Sequence, residues 1–361
     1  MSEFDQISST DGGTEQDRCL EPRTLQPDRE KTDCDISIII CTYNRAEKLP
    51  LCLKNFASAN LPQGVSCELI CVDNNSMDQT RQVIEDFANT IGTRLHYVFE
   101  GMQGLSNARN SGLRKASGKI IAFTDDDCIV DPDWLVAYAR AFAAHPEMVA
   151  AGGPARPIWE VPPPDWLPAY MRTHPQMFPI LSLLEPYREF RLSPDGYFFG
   201  VNMAIRREVL LKVGGFNPDS FGSAWLGDGE TGLNRKLWQR GLLVGYVPEA
   251  IVYHHVPAER LTLEYFRRRE ANDGACDIYA RFHDSGVPGK SALIRTGAAI
   301  AMESTRDWLA SLVLRGRTDP RSLRVQLRAV RAWARLEYVW RLLTSAELRE
   351  LVSRRDWLQS N

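Results

Sequence analysis

The stretch "KIIAFTDDDC", residues 119–128, decides the fold. Ile120 to Thr124 have the apolar, β-branched character of a buried strand, and three carboxylates follow at once, Asp125, Asp126 and Asp127. Adjacent unpaired anions repel one another and resist burial, so a cation is expected where this strand ends.

Three runs of the same kind precede it: "ISIIIC" (36–41), "ELICV" (68–72) and "LHYVF" (95–99). Between them, residues 46–59, 77–91 and 104–116 have helical spacing. Strands that alternate with helices and are apolar on both faces predict an α/β fold, a Rossmann-like, mostly parallel sheet flanked by helices. Such sheets bind ligands beyond the carboxyl ends of their strands. The residues there are "TYNR" (42–45), "DNNS" (73–76) and "DDDC" (125–128), three polar clusters that converge on one edge.

Further along, Asp131 has the makings of an N-cap, with Pro132 at the first helical position of a helix reaching His145. Residues 153–195, with "VPPPDWLP", read as a long irregular loop. Strand-like residues 197–207 come next, then a helix over 227–241 with acidic residues at its start and Gly241 as its stop, then one or two strands over 242–256. From Pro257 the pattern is helical and rich in arginine. The expected organisation is a disordered tail (1–33), an α/β domain (34–256) and a helical extension (257–361).

Composition narrows the function. A net charge of −3 gives no reason to expect nucleic acid. The eight cysteines, Cys19, Cys34, Cys41, Cys52, Cys67, Cys71, Cys128 and Cys276, form no CxxC pair, so reduced thiols are expected. No uncharged apolar stretch approaches the roughly 18 residues of a membrane span. The expected location is cytoplasmic.

If the chain stays extended past Thr124, Asp125 and Asp127 share a face and Asp126 points away. Two aligned carboxylates suit Mg²⁺ or Mn²⁺, with substrate phosphates completing the shell. The competing reading is a solvated turn leading to the next helix.

Five stretches in order, "ISIIICTYNRAEKLPLCL", "ELICVDNNSMDQT", "GLSNARNSGLRKASGKIIAFTDDDC", "GVNMAIRREVLLKVGGFN" and "GDGETGLNRKLWQRG", resemble the family 2 glycosyltransferases over about residues 36–256. These are inverting enzymes of the GT-A fold that use sugar nucleotides. The resemblance places Thr42, Tyr43 and Arg45 at the nucleotide edge and makes Asp73 the partner of a base imide, which favours a UDP-sugar donor; this is preferred, from its place on the sheet edge, to the competing reading that Asp73 serves its own turn. It implies that Asn107 and Arg109 face the nucleotide, that Asp125 and Asp126 belong to the donor site, and that Asp125, Asp127 and His254 hold a divalent cation.

The family's Glu-Asp pair, whose Asp is the base, is altered here. Aligned from "QRG", Glu230 stands at the Asp position and Asp228 two residues earlier. Glu230 is the expected base and Asp228 the runner-up; both could instead only complement the positive helix terminus. Adjacent side chains on a strand point oppositely, so at most one of His254 and His255 is expected to ligate, and His254 is the choice. Trp159, Trp166 and Trp225 flank the cleft as stacking or packing groups.

In the extension, Arg317, Arg321, Arg324, Arg328, Arg331 and Arg335 recur at alternating four and three residues, a helical stripe suited to anionic lipid near a glycan or lipid-linked acceptor, the competing reading being the solvated face of a packed helix. The family's processive motif Gln-x-x-Arg-Trp is absent, so a single sugar per encounter is expected, in polysaccharide or glycoconjugate biosynthesis. Two rivals remain. A nucleotidyltransferase would carry a glycine-rich loop after the first strand, where "CTYNRAEK" has no glycine; a noncatalytic sugar-nucleotide-binding protein would keep the acidic cluster without a working base.

Overall fold

The computed structural model describes residues 34–358 apart from 92–94, 175–176, 219, 222–223, 226–227 and 356. The expected tail, Cys19 and the side chain of Trp225 lie outside what is described.

Strands β1 (Ile36–Thr42), β2 (Cys67–Asp73), β3 (Leu95–Phe99) and β4 (Ile120–Asp125) alternate with helices α1 (Leu49–Ser58), α2 (Thr80–Ile91) and α3 (Leu105–Lys115). Every residue of β1 is buried, as a strand covered on both faces must be, and β1 pairs in parallel with β2 and β4. The chain continues through β5 (Cys128–Val130), α4 (Trp134–Ala144), β6 (Met148–Gly152), β7 (Ala155–Trp159), α5 (Trp166–Met171), β8 (Met177–Phe178), β9 (Leu183–Leu184) and β10 (Arg191–Ser193). Then come β11 (Asn202–Arg206), α6 (Arg207–Lys212), the hairpin β12 (Ser220–Phe221) and β13 (Ala224–Trp225), α7 (Gly229–Trp238), β14 (Leu243–Tyr246) and β15 (Val252–Val256).

The main sheet has the order β10-β14-β6-β11-β4-β1-β2-β3, with β11 antiparallel to both neighbours. A second sheet, β5-β15-β7-β9-β8, leaves the first just beyond the three aspartates. Buried Asn202 fastens α4 to the junction: its Oδ1 accepts from Trp134 Nε1 (2.9 Å) and Tyr138 Oη (2.6 Å), and its Nδ2 donates to the carbonyls of Pro154 and Ala250. Every polar atom of that amide is thereby satisfied.

Helices α8 (Leu263–Ser285), α9 (Lys290–Val313), α10 (Pro320–Thr344) and α11 (Ala346–Ser353) pack on one another through Ile278, Tyr279, Phe282, Tyr338 and Leu342. At the crossing of α8 and α10 a Cβ on Gly274 would lie 2.4 Å from the carbonyl oxygen of Arg331, so only glycine fits there. Phe266, Leu323 and Leu327 share a core with Leu167, Tyr170 and Leu181, tying these helices to the proline-rich segment.

Four expectations are corrected. The helix after Asp131 begins at Trp134 with Asp133 at its N-cap, because the Asp131 carboxylate accepts from the Asp133 amide in a local turn. Residues 153–195 are not one irregular loop: β7 to β9 are too short and too far apart in sequence for periodicity to reveal, yet they pair into the second sheet. The strand alternation expected through Asp127 stops at Asp125, since Asp126 and Asp127 turn the chain into β5. The arginine stripe is not one continuous cationic face: Arg317 precedes α10, Arg321 and Arg324 are exposed, Arg331 and Arg335 both engage Asp277 of α8, and Arg328 pairs with Asp307 at 2.9 Å. Among the described residues, no helix is long and apolar enough to cross a membrane.

Candidate active site

The carboxyl ends of β1 and β4, the first turns of α3 and α7, and the turn after β15 meet at the three aspartates. The nearest side-chain partner of each aspartate is different. Arg109, buried in α3, places Nη2 3.3 Å from Asp125 Oδ1 and Nη1 3.4 Å from Glu230 Oε2. It lies over the Phe216 ring, and a Cβ on Gly200 would come within 2.2 Å of its Nη2. Gly200 is therefore the residue that lets the guanidinium reach between the two carboxylates. Asp126 accepts from Thr42 Oγ1 at 2.7 Å. Burial pushes its carboxyl up to about 7, against the pull of that hydrogen bond. Asp127 faces His254 and Arg260.

Asp127 Oδ1 and His254 Nε2 are 3.5 Å apart, and with Cys128 Sγ they form the described cluster able to hold a metal. The Cys128 thiol, pushed well up by burial, stays protonated and is soft, whereas carboxylate oxygen and imidazole nitrogen suit Mn²⁺. That this pair already holds a cation, the Arg260 guanidinium at 3.0 Å from Asp127 Oδ2 and 2.8 Å from His254 Nε2, shows that the site accommodates positive charge. Asp127 and His254 thus fit a divalent cation; Asp125, turned to Arg109, is not in the cluster.

Two cavities adjoin across Asp125 and Arg260. One, of about 330 Å³, is lined by Thr42, Tyr43, Arg45 and Asn74 on the side of β1 and β2. The other, of about 240 Å³, is lined by Arg109, Asp228 and Glu230 and by Tyr265, Arg269 and Asp273 of α8. Arg45 stands 3.9 Å from both Asp126 and Asp127. Two expected nucleotide contacts are occupied within the chain. Asp73 accepts from the Ser76 amide at 2.9 Å and Tyr97 Oη at 3.0 Å, and Asn107 Nδ2 donates to the Gln103 carbonyl at 3.0 Å.

The two candidate bases differ in access. The Asp228 side chain is 1% exposed, accepts from Asn217 Nδ2 at 2.6 Å and lies 3.6 Å from Arg235. It is the N-cap residue of α7, but its side chain caps no helix amide. Burial raises its carboxyl to about 6. The Glu230 side chain is 26% exposed. Burial would raise its carboxyl, but Arg109 and then Arg269 hold it below the ordinary carboxylate value. A helix start thus presents an ionised, reachable carboxylate at the cavity wall.

His254 points inward and His255 outward, as strand alternation requires; His255 and Trp159 line a third cavity on the far side of Asp127. Trp166 packs edge-on against Phe266. Arg260, Arg269 and Tyr265 were not indicated by the sequence. No local motif marks them, since they reach the site from the extension.

The family description "Glycosyl transferase family 2" matches residues 37–214. The chain is similar to a glucosyl-dolichyl phosphate glucuronosyltransferase of Haloferax volcanii, 24% identical over 51% of this chain and 56% of that protein. It is similar to the glycosyltransferase AglE of the same organism, 35% identical over 28% of this chain and 33% of that one. Against the succinoglycan biosynthesis protein ExoM of Rhizobium meliloti it is 27% identical over 66% of this chain and 72% of that one. The chain thus spans little more than half of the first relative's length and a third of the second's. A mannosyltransferase from Pyrobaculum calidifontis, solved with GDP-mannose and Mn²⁺, has the same fold, with a TM-score of 0.53 at 20% identity over 84% of this chain and 87% of that one.

Proposed function

Because the chain belongs to glycosyltransferase family 2, we propose that it moves a single sugar from a nucleoside-diphosphate donor, a UDP-sugar, to an acceptor hydroxyl of a glycan or lipid-linked glycan, with inversion. Residues 34–256 form the catalytic domain in this reading, and the helices of 257–361 wall the acceptor side.

The observation that carries it is the Arg109 bridge, which ties Asp125, at the end of β4, to Glu230, at the start of α7. Inversion needs a base on the face of the anomeric carbon opposite the leaving diphosphate. The cavity lined by Thr42, Tyr43 and Arg45 takes the nucleotide, the cavity walled by α8 takes the acceptor, and Glu230 stands at the acceptor side. Glu230 accepts the proton of the attacking hydroxyl, and Arg109 keeps it ionised and oriented. Asp228 has the better-matched basicity, but its oxygens are turned into the protein toward Asn217 and Arg235, so access decides for Glu230. Asp127 and His254 would hold a Mn²⁺ ion, and the chemistry such an ion supplies is Lewis-acidic stabilisation of charge on the departing diphosphate.

The test is incubation with a panel of nucleotide sugars and glycan acceptors in Mn²⁺, with the anomeric configuration of the product read by NMR. A product of inverted configuration from a UDP-sugar is expected. Retention of configuration, or no donor turned over at all, would reject the reading.

A further inference from the structure

Asp127 Oδ1 and His254 Nε2 face each other across 3.5 Å, and the state of that imidazole is decided by what lies on its two sides. Nδ1 lies 3.1 Å from the carbonyl oxygen of Leu181. A carbonyl can only accept, so Nδ1 carries a hydrogen, and Nε2, which faces a guanidinium N–H that can only donate, keeps its lone pair. A carboxylate oxygen and a bare imidazole nitrogen at that separation repel unless a positive charge lies against both. Arg260 supplies it, donating from Nη1 to His254 Nε2 at 2.8 Å and from Nη2 to Asp127 Oδ2 at 3.0 Å.

An sp² ring nitrogen has a single lone pair in its plane, so an arginine N–H and a metal ion cannot both engage Nε2. We propose that Arg260 is the resident counter-cation of the metal site, that a divalent metal enters only by displacing it, and that the displaced guanidinium passes to the donor diphosphate. This rests on the metal reading given above. The destination is at hand, because Arg260 lines both cavities and its side chain is already 25% exposed. Its departure need not disturb the fold. Arg260 sits in a 3₁₀ turn, Ala258–Leu261, pinned before it by the Ala258 amide donating to Glu160 Oε2 at 2.9 Å and after it by buried Leu261. Thr262 caps α8 independently, accepting from the Tyr265 amide at 3.2 Å.

Two consequences follow. Without nucleotide the metal binds weakly, since it must compete with a tethered cation. With a diphosphate present Arg260 has another anion to meet, so metal and diphosphate each strengthen the binding of the other.

The experiment is calorimetric titration of Mn²⁺ into the full-length protein, with and without UDP, for wild type, R260A and R260K. R260A should bind Mn²⁺ alone about tenfold more tightly than wild type, while R260K, which keeps the charge, stays close to wild type. UDP should tighten Mn²⁺ binding to wild type and do so less, or not at all, for R260A. Far-UV circular dichroism checks folding, and R260Q replaces R260A if the latter does not fold. R260A binding Mn²⁺ no more tightly than wild type would overturn the proposal, as would equal tightening by R260K. Mn²⁺ binding by none of the proteins would overturn the metal reading itself, and this inference with it.

Discussion

Replacing Arg109 with Met removes the guanidinium that contacts both Asp125 and Glu230, so R109M should lose stability and shift the acid limb of transfer together. The Arg109 side chain is 3% exposed, and its two contacts, at 3.3 and 3.4 Å, are longer than ideal charge-assisted bonds. Breaking a buried ion pair from one side destabilises by about 3–5 kcal/mol, and the long contacts point to the lower end, a shift of over 100-fold in the unfolding equilibrium. The sign of the pH effect follows from Glu230. Its carboxyl is held below 4.5 although burial opposes this. A carboxylate depressed in the folded state stabilises above its unfolded value, and that stability is lost as pH falls through the folded one. A base must also be ionised to work. In R109M burial prevails, so the acid limb of transfer moves to higher pH. Urea denaturation at neutral pH and single-turnover transfer across the acid range measure the two effects. The double variant R109M/E230Q should recover part of the lost stability, because one stranded carboxylate has gone. Stability within about 0.5 kcal/mol of wild type with an unmoved acid limb would refute the bridge.

Three further outcomes are expected. Asp228, raised to about 6 from 3.8, holds its proton more tightly when folded, so stability falls as pH rises between those values, by up to about 3 kcal/mol; D228N should remove that slope, and parallel urea-midpoint curves would count against it. G200A should drive Arg109 out of place, lowering the melting temperature and transfer together by overpacking of about 1–3 kcal/mol, whereas an unchanged melting temperature would show that the guanidinium has room. D277N should destabilise by about 2 kcal/mol, because Asp277 answers both Arg331 and Arg335; chemical denaturation equal to wild type would mean that those arginines find other partners.

The parts legible in the sequence are those whose physics is local. Strands β1, β2 and β4 announced themselves because burial on both faces demands uninterrupted apolar runs, and residues just past β1 and β4 line the cleft because the parallel topology leaves them there. Strand alternation foretold that His254 and His255 point oppositely, but which of them faces inward waited for the structure. Where chain direction changed within two residues, at Asp126 and Asp127, the same alternation misled, and Asp125 and Asp127 found different partners. What stayed hidden depends on contacts across long separations. Arg109 meets Glu230 over 121 residues and Arg260 meets Asp127 over 133, and no periodicity encodes either. The arginine stripe is a helix face from Arg321 to Arg335, and the partner of Arg331 and Arg335 stayed hidden, since only the packing of α8 on α10 brings Asp277 against them.

The central claim is that the chain catalyses sugar transfer with Glu230 as base, and the most direct measurement is single-turnover transfer by E230Q beside D228N and wild type, with UDP affinity measured on each. Glutamine keeps the shape of Glu230 and loses only the proton acceptor. The account predicts that E230Q slows transfer by roughly 100-fold or more with UDP affinity unchanged, while D228N remains near the wild-type rate. Transfer by E230Q at the wild-type rate, with D228N inactive, would contradict it.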